Sequence, residues 1–291
     1  MCDQPVDPGE LVALLADRNA NLVFSLQTFH ELCKTFRAST TKSFERGKKL
    51  FSYLQEFVHA GIPCAREIME LLAAEMWALK LGTSPVDAFL NEKDYAVVRQ
   101  EVDKLANGGY DERTAKYLEE RAALASKTRM DQARHLESHS DIKQNLRNVS
   151  RANLEKWLNY GMTTPDGVEL LVAHIQRQFP EAPRPEVEAY APELLALPAN
   201  AASRGLVRAD LYYNWRCAHR DSNPKDLLDD MYHVLESVHC EIYATGEAGQ
   251  AEYAGLLLTA KTRVAIYDGK MSPDRWLEGL ACAPSTTLRC V

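Results

Sequence analysis

The sequence lacks several features that would assign it to a familiar class of protein. It has no apolar run of about eighteen residues, the length that a membrane-spanning helix needs. Its first twenty residues carry four carboxylates, where a signal peptide would have a basic start followed by an apolar stretch. It also has no glycine-rich phosphate-binding loop and no Gly-x-Ser-x-Gly motif. We therefore predict a cytoplasmic protein that has no membrane partner.

Organised cysteines and an excess of basic residues are missing as well. The seven cysteines are scattered without Cys-x-x-Cys spacing, which argues against a disulfide framework or a structural zinc site and fits a reducing compartment. The formal net charge is -7, so the chain lacks the global positive field of a dedicated nucleic-acid-binding protein. A polyanion would have to meet a local basic patch or a bound metal ion.

The first part of the chain has an α/β pattern. Residues 22–25 predict a short apolar strand that leads into a helix capped by Ser25. A second helix is predicted over residues 41–59. Its polar side carries three basic residues that could hold a phosphate backbone or form an ordinary solvated face: Arg46, Lys48 and Lys49.

The last part of the chain returns to an α/β pattern. A strand over residues 242–245, a helix over 248–258 and a strand over 263–267 follow one another. This alternation predicts that the two strands pair in parallel through a right-handed crossover.

The stretch between these two parts predicts helices only. We therefore expect residues 1–66 and 211–291 to form one α/β domain, interrupted by a helical insertion over residues 67–210. The insertion should form a layer beside the sheet and place three tryptophans in apolar contacts: Trp77, Trp157 and Trp215.

Several acidic residues lie at the polar edges of these elements. Asp226, Asp230 and His233 share one flank of a predicted helix, away from its apolar stripe. Glu247 follows the strand over 242–245 and would project at the carboxyl end of the sheet, and Glu31 lies near the same edge. Each acid alone is more typical of a solvated surface or, for Asp226, of a helix start. Their common placement favours a site for a hard divalent cation.

The order of these residues resembles the PIN-like nuclease family, in its bacterial branch. The late segment of that branch reads roughly as Asp, a His three residues on, Cys-Asp, an apolar strand and Thr-x-acid. The matching residues here are Asp230, His233, Cys240, Glu241, the strand over 242–245 and Glu247. The early match is the strand over 22–25, the following helix with Glu31, and the helix over 41–59.

The resemblance implies a Rossmann-like parallel sheet with a large all-helical insertion. It also implies an endoribonuclease that binds magnesium or manganese and cleaves single-stranded RNA with metal-activated water. The resemblance implies three catalytic residues: Glu31, Asp230 and Glu247. The metal ligands would be the same three residues together with Asp226. Glu241 and His233 would support the site.

The chain departs from the family pattern at two places. Glu241 and Glu247 stand where the family has Asp, and the longer side chain moves the carboxylate by about 1.5 Å, enough to affect the rate of a reaction. The family opens with a buried strand ending in the first metal-binding Asp, and no apolar strand precedes Asp3. We expect this chain to bind the metal weakly and cleave RNA poorly, and a version extended upstream by such a strand to be active.

Two alternatives belong to other functional classes. The first is a catalytically impaired PIN-like module that binds RNA or protein, and the missing first acid favours it. The second is a helical scaffold whose acids are all solvated. An antitoxin-like or other protein partner is compatible with either interpretation.

Overall fold

The computed structural model describes residues 7–18, 20–38, 40–83, 87–123, 130, 145–220, 227–258, 262–267 and 272–282. Helices dominate this part of the chain. The earlier ones are α1 (Pro8–Ala16), α2 (Leu26–Lys34), α3 (Thr41–His59), α4 (Ile68–Leu81), α5 (Glu92–Ala106) and α6 (112–123). The later ones are α7 (Leu154–Gly161), α8 (Pro165–Gln178), α9 (Arg184–Ala196), α10 (Ala201–Arg220), α11 (Leu227–Leu235), α12 (Ala248–Leu257) and α13 (Pro273–Cys282).

Four short strands form two separate parallel pairs. They are β1 (Phe24–Ser25), β2 (Cys64–Ala65), β3 (Ile242–Thr245) and β4 (Arg263–Ile266). In the first pair Phe24 lies opposite Cys64, and in the second Ile242 lies opposite Arg263. The predicted parallel pairing of the two late strands is therefore confirmed.

The predicted Rossmann-like parallel sheet with an all-helical insertion is wrong. Within the described ranges β1 pairs only with β2 and β3 only with β4, so no backbone ladder joins the two pairs. The first pair extends over only two residues of each strand, which is too short to form the centre of a sheet. Leu15 of α1 and Leu22, just before β1, pack in one cluster with Ile242 of β3 and Ala265 of β4.

Two larger apolar cores hold the helices together. The first joins α2, α3 and α5 around the fully buried Phe51 and Leu105. The second joins α4 with α7 to α12, β3 and β4. It therefore includes both the predicted insertion and the elements that follow it.

The middle of the chain is helical, as its periodicity predicts. Between residues 67 and 210 the described residues contain no strand, and the one β-bridge there pairs Phe89 with Ala65. Trp215 is buried and Trp157 packs against the core, as their predicted apolar contacts require, whereas Trp77 is half-exposed and lines a mostly apolar groove at the surface. The predicted domain boundary after residue 210 falls inside α10 and stays a prediction.

Candidate functional site

Helix α2 positions Glu31, the first of the predicted acids. Ser25 caps this helix in an extended conformation, and its Oγ accepts a hydrogen bond from the backbone N–H of Thr28 at 3.2 Å. One turn further on, the Glu31 carboxylate accepts a hydrogen bond from the side-chain amide of Gln27 at 2.9 Å and pairs with Lys34 at 2.5 Å. Its side chain is 44% exposed, so a ligand can reach it.

His233 of α11 lies close to this part of α2. Its Nε2 is 3.4 Å from the Thr28 hydroxyl. Burial lowers the pKa of His233, and the negative charge of Glu31 opposes that shift. The imidazole is therefore neutral at neutral pH, and the structure brings Glu31 and His233 together as neighbours on two helices.

The charges of Asp230 and Glu247 both act on two buried tyrosines. Asp230 lies one turn before His233 on α11, and Glu247 is the N-cap of α12, directly beyond the carboxyl end of β3. Burial raises the pKa of Tyr243 and Tyr253, and the charges of Asp230 and Glu247 raise both further. Two of the predicted acids, from different elements, thus act on the same pair of tyrosines, whereas the convergence of their carboxylates with each other and with Glu31 stays a prediction.

Carboxylate oxygens, which Asp230 and Glu247 each carry, are the kind of donor that a hard cation prefers. Within the described part of the chain no group of three or more His, Cys, Asp or Glu side chains could hold a metal ion. Asp226, the predicted fourth ligand, lies outside the described residues. Magnesium is commonly bound by only one or two carboxylates, with water and substrate phosphate completing its coordination. Asp230 and Glu247 fit that donor set.

The other predicted site residues lie apart from this pair of acids. Glu241 is exposed at the opposite end of β3, where its carbonyl oxygen accepts a hydrogen bond from the backbone N–H of Arg263 at 2.8 Å. On α3, the Nζ atom of Lys48 is 3.9 Å from a carboxylate oxygen of Glu45, and Arg46 and Lys49 are exposed. The role of these three basic residues in RNA binding stays a prediction.

Sequence reasoning missed a buried carboxylate at the start of α2. Glu236, just after α11, is only 4% exposed and accepts a hydrogen bond from the backbone N–H of Gln27 at 3.0 Å. The Ser25 hydroxyl also bonds to it. Burial raises the pKa of Glu236 to about 8 despite these bonds. The one signal in the sequence was its position among the apolar residues Leu235 and Val238.

A second group of polar side chains adjoins Glu236. The Glu67 carboxylate, just beyond β2, accepts hydrogen bonds from Arg121 of α6 and from His30 Nε2, the latter at 3.3 Å. Burial alone would raise the pKa of Glu67, but His30 and Arg121 outweigh it and hold that pKa below its usual value. The Tyr117 hydroxyl lies 3.0 Å from His30 Nε2. These bonds fasten α2, α6 and the end of β2 to one another.

No protein-family model, curated protein or solved structure matches this chain. Among the described helices none is both long and apolar enough to cross a membrane.

Proposed function

We propose that the protein is a divalent-metal-dependent ribonuclease that acts on single-stranded RNA, with Asp230 and Glu247 at the centre of its site. The observation that supports this proposal is that both carboxylates lie close enough to Tyr243 and Tyr253 to raise the pKa of each. Glu247 follows the carboxyl end of a parallel strand pair, which is where ligands bind in α/β structures, and Asp230 acts on the same tyrosines from α11.

The roles of the side chains follow from their chemistry. Asp230 and Glu247 would hold magnesium or manganese through carboxylate oxygens, leaving the other positions to water and to a phosphate of the RNA. The bound ion supplies positive charge to that phosphate and lowers the pKa of a water ligand. Because burial keeps His233 neutral, this residue adds no positive charge that would repel the ion. Glu31, held by Gln27 and Lys34, would supply a further carboxylate if α2 brings it within reach of the ion.

The proposed compartment is the reducing cytoplasm. The described cysteines Cys33, Cys64, Cys217 and Cys240 are free, and burial raises the pKa of the Cys33 thiol to about 12. A buried thiol with a raised pKa reacts slowly, so we expect Cys33 to stay reduced during the assay.

The test combines metal binding with RNA cleavage. Manganese binding is followed by electron paramagnetic resonance, and cleavage of a labelled single-stranded RNA is followed with metal and with chelator. Asp230→Asn and Glu247→Gln each remove one charge with little change of shape, so both should weaken manganese binding and abolish metal-dependent cleavage. Glu241→Gln is the matched control, because it makes the same chemical change at the other end of β3 and should leave both measurements unchanged.

Two results would contradict the proposal. Cleavage that is equal in all variants and insensitive to chelator would come from a contaminating enzyme. Failure of the unsubstituted protein to bind manganese or to cut any RNA tested would favour a binding module without catalysis.

A further inference from the structure

A groove lies between α4 and the segment that connects α8 to α9. Its volume is about 220 Å³, close to the lower end of the range for pockets that hold small ligands or side chains. Its walls are mostly apolar, and they include Met76, Trp77, Phe179, Pro183, Val187 and Tyr190.

Trp77 is the exposed wall of this groove. It is 53% exposed, whereas Trp215 in the core is only 5% exposed. The ammonium group of Lys80 lies 5.5 Å from the centre of the Trp77 ring and also pairs with Glu186 of α9. These contacts hold the indole in place over the groove. A large aromatic side chain held at the surface beside an apolar groove is typical of a binding hot spot.

The opposite wall is preformed by hydrogen bonds. The backbone N–H of Ala182 donates to the carbonyl of Phe179 at 3.0 Å, and the side-chain amide of Gln176 donates to the carbonyl of Ala182 at 2.7 Å. Pro183 then caps α9 in an extended conformation. Because this wall is ordered without a ligand, binding would cost little conformational entropy there.

The charged groups at the rim determine what kind of ligand fits. Glu181 and Glu186 both line the groove, and Lys80 is its one basic lining residue. Since Lys80 already pairs with Glu186, Glu181 leaves the rim with a net negative charge. The whole chain is also acidic, at -7. A nucleic acid would be repelled, whereas a basic segment would be attracted.

We propose that this groove binds a peptide segment of a partner protein in which a bulky apolar side chain is flanked by lysine or arginine. The apolar side chain fills the groove against Trp77, and the flanking cations face Glu181. This surface is separate from the acids assigned to RNA cleavage, so its test is independent of that activity.

The test starts from a displayed library of random heptapeptides selected against the folded protein. The enriched peptide is then synthesised with a fluorescent label and titrated by anisotropy. We expect its sequence to combine a bulky apolar residue with basic neighbours, and Trp77→Ala to weaken binding by about tenfold or more. Glu181→Lys should weaken it as well and should reduce its dependence on salt.

The matched control is Tyr160→Ala. Tyr160 is an aromatic residue of α7 that is 66% exposed and does not line the groove, so its removal should leave binding unchanged. Circular dichroism confirms that each variant is folded. The proposal is overturned if the selected peptides are acidic, if no peptide is enriched, or if Trp77→Ala binds as tightly as the unsubstituted protein. It is also overturned if Trp77→Ala leaves peptide binding unchanged but weakens RNA binding, or weakens self-association measured by sedimentation.

Discussion

Replacing Glu75 by glutamine should remove a pH-dependent loss of stability. Glu75 lies on α4 and is only 2% exposed. Its carboxylate accepts hydrogen bonds from the backbone N–H groups of Ala202 and Ser203, at 2.7 and 2.8 Å, and from the Ser203 hydroxyl at 2.6 Å. Burial raises the pKa of Glu75 to about 7, because the loss of water costs the charged form more than the three hydrogen bonds return.

The direction of this pH effect depends on whether the folded or the unfolded chain binds the proton of Glu75 more tightly. The ordinary pKa of the group is 4.5, so the folded protein holds this proton more tightly than the unfolded chain does. The resulting stabilisation is fully present below pH 4.5 and is lost as the pH rises through 7. At about 1.4 kcal/mol for each pKa unit, the loss between pH 5 and pH 8 is roughly 2–3 kcal/mol.

Urea denaturation of both proteins at pH 5 and pH 8 measures this effect. The glutamine of Glu75→Gln cannot titrate, so the variant lacks the contribution of this group. The free energy of unfolding of the variant relative to the unsubstituted protein should therefore rise by roughly 2–3 kcal/mol from pH 5 to pH 8. Other titrating groups, such as Glu236, occur in both proteins and cancel in the difference.

Two results would refute this reasoning. If the difference between the two proteins is the same at both pH values, Glu75 does not titrate in this window. If the free energy of unfolding of the unsubstituted protein instead rises relative to that of the variant as the pH rises, the pKa of Glu75 is lowered. The hydrogen bonds from α10 would then outweigh the cost of burial.

Three further substitutions test the backbone of the fold by chemical denaturation. A Cβ on Gly167 would overlap the carbonyl oxygen of Gly161, so Gly167→Ala should lower the free energy of unfolding by about 1–3 kcal/mol. Gly255 of α12 faces open space, so Gly255→Ala should raise it by about 0.5–1 kcal/mol; equal stability of these two variants would contradict the packing around Gly167. Ser25→Ala removes the cap of α2 and should cost about 1 kcal/mol, and no loss at all would contradict the cap.

The elements that could be predicted from sequence are those with a strong local signal. The helix over 41–59 and the strand over 242–245 have the predicted bounds. Ser25 caps α2 as expected. Apolar periodicity and capping residues act within a few residues of one another, so they can be recognised without knowledge of the rest of the fold.

The arrangement of the strands could not be predicted in the same way. Cys64 and Ala65 form β2, but two residues carry no alternating pattern. Pairing between strands also depends on contacts across long stretches of sequence. The prediction of one sheet assumed that the three predicted strands would align, whereas β1 pairs with the unpredicted β2 and β3 pairs with β4.

The candidate site was predictable only in part, for a related reason. The flank of α11 that carries Asp230 and the turn that carries Glu247 follow from helix and strand periodicity. Their common effect on Tyr243 depends on how α12 packs against α11 and β3. Trp77 was predicted to make apolar contacts because tryptophan is highly buried on average, and nothing local in the sequence indicates that these contacts line a groove at the surface.

Burial raises the pKa of Glu75 and of Glu236 well above the usual value of a glutamate. Their hydrogen bonds nevertheless make both residues weak candidates for a reactive site. A perturbed pKa often marks a functional residue, but Glu75 accepts hydrogen bonds at the start of α10 and Glu236 at the start of α2. The unpaired N–H groups of a helix start attract a carboxylate and offset part of the cost of burying it. Since protein donors bond to both carboxylates, their role is to fasten distant helices. The proposed chemistry therefore stays with Asp230 of α11 and with Glu247, which follows the carboxyl end of β3.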